Sequence, residues 1–205
     1  MKKQVVVIHG GGVFISYKQY INFLKKRKLN FIELGKKDWK ATLENKLGGE
    51  FEVILPKMPN KDNARYEEWK IWFEKFIPFL EKEVVLVGHS LGGIFLSRYL
   101  SENKFPKKIL AVFFVAASYD SAKSPARTAG FVVKNDLKLI EKQSRKVIFY
   151  HSRDDRSVPF SSFEEYKKLL TRSVFREYKN RGHFNQNNFP ELVRDIKKAF
   201  AKKSN

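Results

Sequence analysis

The chain has no cysteine among its 205 residues, which excludes disulfides, thiolate metal sites and a cysteine nucleophile. Long apolar runs are missing too, and nothing approaches the roughly 20 residues that span a bilayer. The N-terminal run Val5–Ile8, behind Lys2 and Lys3, is too short for the core of a signal peptide. A soluble, cytoplasmic protein without a membrane partner is therefore expected. Acids are scarce: 22 Asp and Glu stand against 41 Lys and Arg, a net charge of +19. Such a balance admits a nucleic acid, an acidic membrane surface or a polyanionic substrate as partner. The bases are spread along the chain, from Lys25-Lys26-Arg27-Lys28 to Lys202-Lys203, with no nucleic-acid motif among them. They read as solvated faces and helix ends. No specific nucleic-acid partner is expected, only weak adhesion to polyanions at low salt. Composition leaves the oligomeric state open.

Apolar residues make up 42% of the chain and aromatic residues 15%, enough for a packed globule. One domain covering residues 1–205 is expected at this length. Strand-like runs fall at Gln4–Ile8, Phe51–Leu55, Val84–Gly88, Ile109–Val115, Val147–His151 and Val174–Tyr178. Most are rich in Val, Ile and Phe without alternation, the pattern of strands covered on both faces. Helical patterns alternate with them at Tyr17–Lys28, Trp39–Leu47, Ala64–Leu80, Leu91–Ser101, Ser161–Leu170 and Phe189–Ala201. Pro78 should kink or end the third of these early, and Pro190 suits the first turn of the last. Together they predict a mostly parallel six-stranded sheet with helices on both faces. Trp69 and Trp72 lie at helical spacing with Phe73 and Phe76 and read as one packed face. The segment Ser118–Lys146 has room only for a loop and a short helix near Asn135–Glu141, so an open site roofed by Phe131 is expected rather than a cap domain.

The run Val84-Val85-Leu86-Val87-Gly88-His89-Ser90-Leu91-Gly92-Gly93 carries the chemistry. A strand running into Gly-x-Ser-x-Gly and then a helix puts the serine on a strained turn, its hydroxyl above the sheet. Gly88 and Gly92 let strand and helix approach. The Leu91 N–H, at the helix start, can face an oxyanion. A second donor should come from the loop after the first strand, His9-Gly10-Gly11-Gly12-Val13-Phe14, where Gly11 is the candidate. Val13, Phe14, Phe131 and Phe184 are candidate substrate-lining residues. The glycine spacing fits neither dinucleotide nor P-loop patterns, and no metal or cofactor is expected.

A serine needs a base, and the base an orienting carboxylate. In this architecture they follow in the order serine, acid, histidine. There are only four histidines; His9 and His89 precede Ser90, and His151 precedes the best acid. His183, in Asn180-Arg181-Gly182-His183-Phe184, is left as the base. The acid belongs on the loop after the penultimate strand, where Asp154 and Asp155 compete. Asp-x-x-Val-Pro, a recurrent loop in such hydrolases, selects Asp155. Asp154 would then hold the loop or pair with Arg153 or Arg156, and Asp120 is a third option.

With these residues in place, the chain resembles the retinoblastoma-binding protein 9 family of small α/β-hydrolases. The resemblance rests on the glycine loop, Lys57-Met58-Pro59, the Gly-His-Ser-Leu-Gly-Gly elbow, Asp154-Asp155-Arg156-Ser157-Val158-Pro159 and Gly182-His183-Phe184. It implies a nearly lidless α/β-hydrolase fold, a Ser90–Asp155–His183 triad and hydrolysis of small activated esters through an acyl-enzyme. The family's protein-binding activity depends on a cysteine-containing motif, which this chain lacks. The readings left open are an amidase, thioesterase or lactonase using the same triad, and a binding protein with a basic surface on a hydrolase scaffold.

Overall fold

The computed structural model describes residues 2–29, 35–120, 129–133 and 136–201. Six strands, Lys3–Ile8 (β1), Phe51–Ile54 (β2), Glu83–His89 (β3), Lys108–Val115 (β4), Val147–Ser152 (β5) and Val174–Tyr178 (β6), form one sheet in the order β2-β1-β3-β4-β5-β6. Every neighbouring pair is parallel. Seven α-helices are described: Tyr17–Lys26 (α1), Trp39–Leu47 (α2), Tyr66–Phe76 (α3), Leu91–Glu102 (α4), Lys138–Gln143 (α5), Phe160–Leu169 (α6) and Pro190–Phe200 (α7). This is the α/β-hydrolase architecture.

The unbroken apolar strands follow from cover on both sides. Val6, Ile8, Leu86 and Phe114 face a core shared with α3, α4 and α6. Their neighbours Val5, Val7, Val85 and Phe113 face a second core built on Trp39, Leu43, Leu192 and Ile196 of α2 and α7. Because successive strand side chains alternate faces, every position of Val5–Ile8 is fully buried. The exception is α1, which buries no residue.

Local signals set the helix ends. Asp38 caps α2 by accepting a hydrogen bond from the Lys40 N–H (3.0 Å), as a short acidic side chain does at an N-terminus. The helix expected over Ala64–Leu80 is shorter: α3 stops at Phe76, and Ile77–Phe79 form a 3₁₀ turn containing Pro78, which has no N–H to continue the ladder. The packed face divides as well. Trp69 and Phe73 are fully buried, whereas Trp72 is 40% exposed and lies against Phe76 on the outer side. The short helix expected near Asn135–Glu141 is α5, at Lys138–Gln143. Residues 121–128 and 134–135 of the expected loop lie outside the described residues.

After β1 the chain moves to β2 at one edge and returns to β3 on the other side of β1. The loops leaving β1 and β3 therefore diverge and open a crevice at the carboxyl ends of the strands, where open α/β sheets place their sites.

Candidate active site

Ser90 joins β3 to α4 with φ 54° and ψ −118°, a region that a non-glycine residue occupies only under strain. Its N–H donates to the Val115 carbonyl (2.9 Å) and its carbonyl accepts from the Gly93 N–H (2.9 Å), so both sides of the strained residue are held. The elbow depends on close backbone approach. A Cβ on Gly92 would collide with the Ile8 carbonyl oxygen and stand 2.7 Å from that of His9. Alanine there would wedge α4 away from β1. The Leu91 N–H is the first of α4 and has no intrahelical acceptor, like every N–H of a first helical turn.

Gly11 fits equally closely. A Cβ on it would overlap the Lys61 carbonyl and lie 3.1 Å from the Leu91 side chain. The glycine loop is tied down by the Gly12 N–H to the Lys61 carbonyl and the Ala64 N–H to the Gly12 carbonyl, both 2.8 Å. His9 fastens the loop after β2: its Nδ1–H donates to the Gly10 carbonyl (2.6 Å), leaving Nε2 to accept the Met58 N–H (3.0 Å).

The acid and base meet across the ends of β5 and β6. His183 Nδ1 lies 2.8 Å from Asp155 Oδ2. The other carboxylate oxygen accepts the N–H groups of Ser157 (2.8 Å) and Val158 (3.0 Å), which leaves Oδ2 for the imidazole. Asp154 points elsewhere. Its Oδ1 accepts from the Ser152 hydroxyl (2.5 Å) and the Gly182 N–H (2.8 Å), fixing the backbone just before His183. These hydrogen bonds hold its carboxyl below the usual carboxylate range. Asp120 has no part in this cluster; its carbonyl accepts the Val133 N–H (3.1 Å). Ser90, His183, His9, Gly10 and Gly11 line one cleft of about 970 Å³.

His89 is the residue that chain order hides, because it precedes the serine. Its Nε2–H donates to the His183 carbonyl (2.9 Å), so Nδ1 is free to accept from Lys40 Nζ (3.4 Å). Lys40 is ion-paired to Asp38, and the Trp39 indole N–H donates to the Phe184 carbonyl (2.9 Å). The histidine loop is thus clamped from beneath by α2 and the elbow. Only the position of His89 beside the serine hinted at this.

Burial pushes His89 well below its ordinary value, with the Lys40 charge adding to the effect, and burial also lowers His151 and His9. Histidines held neutral in the fold take up protons on unfolding, so the unfolded state binds more protons as pH drops below about 6.5. Stability present above that pH is lost as pH falls toward the lowered folded values, by up to about 1.4 kcal/mol per pH unit for each of the buried His89 and His151. Urea midpoints should therefore change little between pH 7.5 and 6.5 and fall from there to pH 5, and a midpoint flat across the lower range would contradict the neutral assignment.

None of the four apolar residues expected to line the site does so. Phe131 packs in the core against Trp69 (5.2 Å between centroids) and Tyr66 (5.9 Å) rather than over the cleft. Phe184, at φ 53°, turns inward onto Phe189 (5.1 Å) and is buried. Val13 packs against the α3–α4 core. Phe14 lies on Tyr20 and Phe23 of α1. Phe131 and Phe184 follow their apolar surface inward, where burial is favourable, while Val13 and Phe14 stay half-buried. Leu55, Lys57, Met58 and Lys61 line the cleft instead, because the loop after β2 opens at the same end of the sheet.

Among the described residues, no helix is long and apolar enough to cross a membrane. The family model described as "Serine hydrolase" matches residues 31–192. The rat protein Serine hydrolase RBBP9 is 26% identical over 155 residues, 72% of this chain and 77% of that protein. The Putative hydrolase YdeN of Bacillus subtilis is 25% identical over 186 residues, 90% of this chain and 87% of its own length. The crystal structure of the ydeN gene product shares the fold, with a TM-score of 0.75 at 21% identity over 98% of this chain and all of that one. From the matched span and the fold together, this chain belongs to the serine hydrolase family.

Proposed function

We propose that this hydrolase cleaves small acyl esters, with Ser90 as nucleophile, His183 as base and Asp155 as the orienting acid. The observation that carries this reading is the 2.8 Å hydrogen bond to the buried Asp155 from His183, which lines one cleft with a strained Ser90. Ser90 Oγ attacks the ester carbonyl carbon as His183 Nε2 takes its proton, and the Asp155 carboxylate stabilises the imidazolium. The Leu91 and Gly11 N–H groups hold the oxyanion, each worth roughly 3 kcal/mol. The intermediate expels the alcohol, which receives the proton from His183, and leaves an acyl group on Ser90. Water then attacks that ester, its proton passing to His183, and the intermediate collapses as His183 returns the proton to Ser90 Oγ, releasing the acid and the free serine.

Between β4 and α5 there are too few residues for a cap domain, so the cleft suits short acyl chains. A series of nitrophenyl esters from acetate to palmitate tests this. Highest kcat/KM is expected at the short end, and a maximum at palmitate would reject the short-chain assignment.

A further inference from the structure

The walls of the cleft carry an uneven charge. Three lysines line it, Lys40, Lys57 and Lys61, against a single acid, Asp38. The Asp38 charge is already taken by Lys40, whose ammonium is mostly buried beside His89. Lys57 and Lys61 have no ion-pair partner among the described residues; Lys61 borders both this cleft and the neighbouring groove, where Asp62 lies with Tyr17 and from where its charge reaches His9. His9 and His89 are held neutral by their hydrogen bonds and burial, so they do not answer the two charges.

These lysines stand on the connection that follows β2, outside its hydrogen-bonded ladder, yet the backbone there is held in place. The segment bearing them is fastened at three points: the Met58 N–H to His9 Nε2 (3.0 Å), the Pro59 carbonyl to the Trp69 indole N–H (2.8 Å) and the Lys61 carbonyl to the Gly12 N–H (2.8 Å). Both lysines therefore hang from an anchored segment beside the glycine loop and line a concave site, where like charges reinforce one another. A neutral ester makes no use of them, and a cationic one is repelled.

Resting on the serine hydrolase reading of this site, we infer that its substrate is an ester bearing a second, anionic group, a carboxylate held by Lys57 and Lys61 while the ester carbonyl lies at Ser90. The test compares matched pairs of esters. On the acyl side, the 4-nitrophenyl half-ester of adipic acid is set against its methyl-capped diester. On the leaving-group side, the butyrate ester of 4-hydroxybenzoic acid is set against that of its methyl ester. In at least one pair, kcat/KM for the charged ester should exceed that for the capped one by about tenfold, the size expected of two screened charges. The preference should shrink with added salt and fall to about one in the K57A/K61A double variant. A K197A/K198A variant, which removes the same charge from a groove on α7, should keep it.

No preference in either pair overturns the inference, as does a preference that survives K57A/K61A or is lost equally in K197A/K198A. In each of those cases the esters are still hydrolysed, so the serine hydrolase reading stands. Failure to turn over any of the four esters, together with no labelling by a fluorophosphonate, removes that reading and this inference with it.

Discussion

Ser90→Ala should abolish labelling by a fluorophosphonate probe and lower ester turnover by on the order of 10⁶-fold. The probe phosphonylates only a serine whose proton has somewhere to go, and His183, lining the same cleft, is the acceptor available. Alanine accepts the φ of 54° at this position no worse than serine does, and the backbone bonds to Val115 and Gly93 do not involve the side chain. The variant should therefore keep the wild-type circular dichroism and urea midpoint while losing activity. Any residual rate would report the oxyanion donors and binding alone. Labelling that persists in the alanine variant would move the nucleophile away from Ser90.

Asp155→Asn should reduce kcat by about 10⁴-fold, with a far smaller loss in Asp154→Asn. Asp155 Oδ1 accepts two backbone N–H groups, from Ser157 and Val158. In the asparagine variant the amide oxygen must keep those bonds, which turns the NH₂ group toward His183 Nδ1. Nδ1 can then only accept, the ring proton shifts to Nε2, and the nitrogen needed as base is occupied. Asp154 instead accepts from the Ser152 hydroxyl and the Gly182 N–H. An asparagine oxygen serves both contacts, so the loop before His183 keeps its course. Steady-state kinetics of the two variants side by side decide the matter, and an equal or larger loss in Asp154→Asn would exchange the two roles.

Much of this is legible in the sequence. The unbroken Val and Ile runs dictate strands covered on both faces, and the six expected strands coincide with β1–β6 to within one residue at each end. The glycines around Ser90 require a strand-to-helix turn, because no other residue lets α4 pass so close to β1. Chain order left His183 as the histidine able to follow an acid. The strands and the elbow are local properties, set by side-chain period and backbone sterics within about ten residues, and the histidine follows from order along the chain.

What the sequence could not supply are contacts between residues far apart in the chain, which depend on strand order and on how helices seat against the sheet. Asp154 and Asp155 are adjacent and chemically identical; only the fold of the loop turns one toward His183, 28 residues away, and the other toward the Gly182 backbone. His89 supports the His183 carbonyl across 94 residues, and Trp39 that of Phe184 across 145. Phe131 and Phe184 carry no mark separating a cleft wall from a core, since burial rewards both alike. Local pattern alone places residues on the elbow, the glycine loop and the aspartate and histidine loops. Which of their side chains meet, and that Lys57 and Lys61 line the same cleft, follows from the sheet order, which brings the loops together at one end and is a property of no single segment.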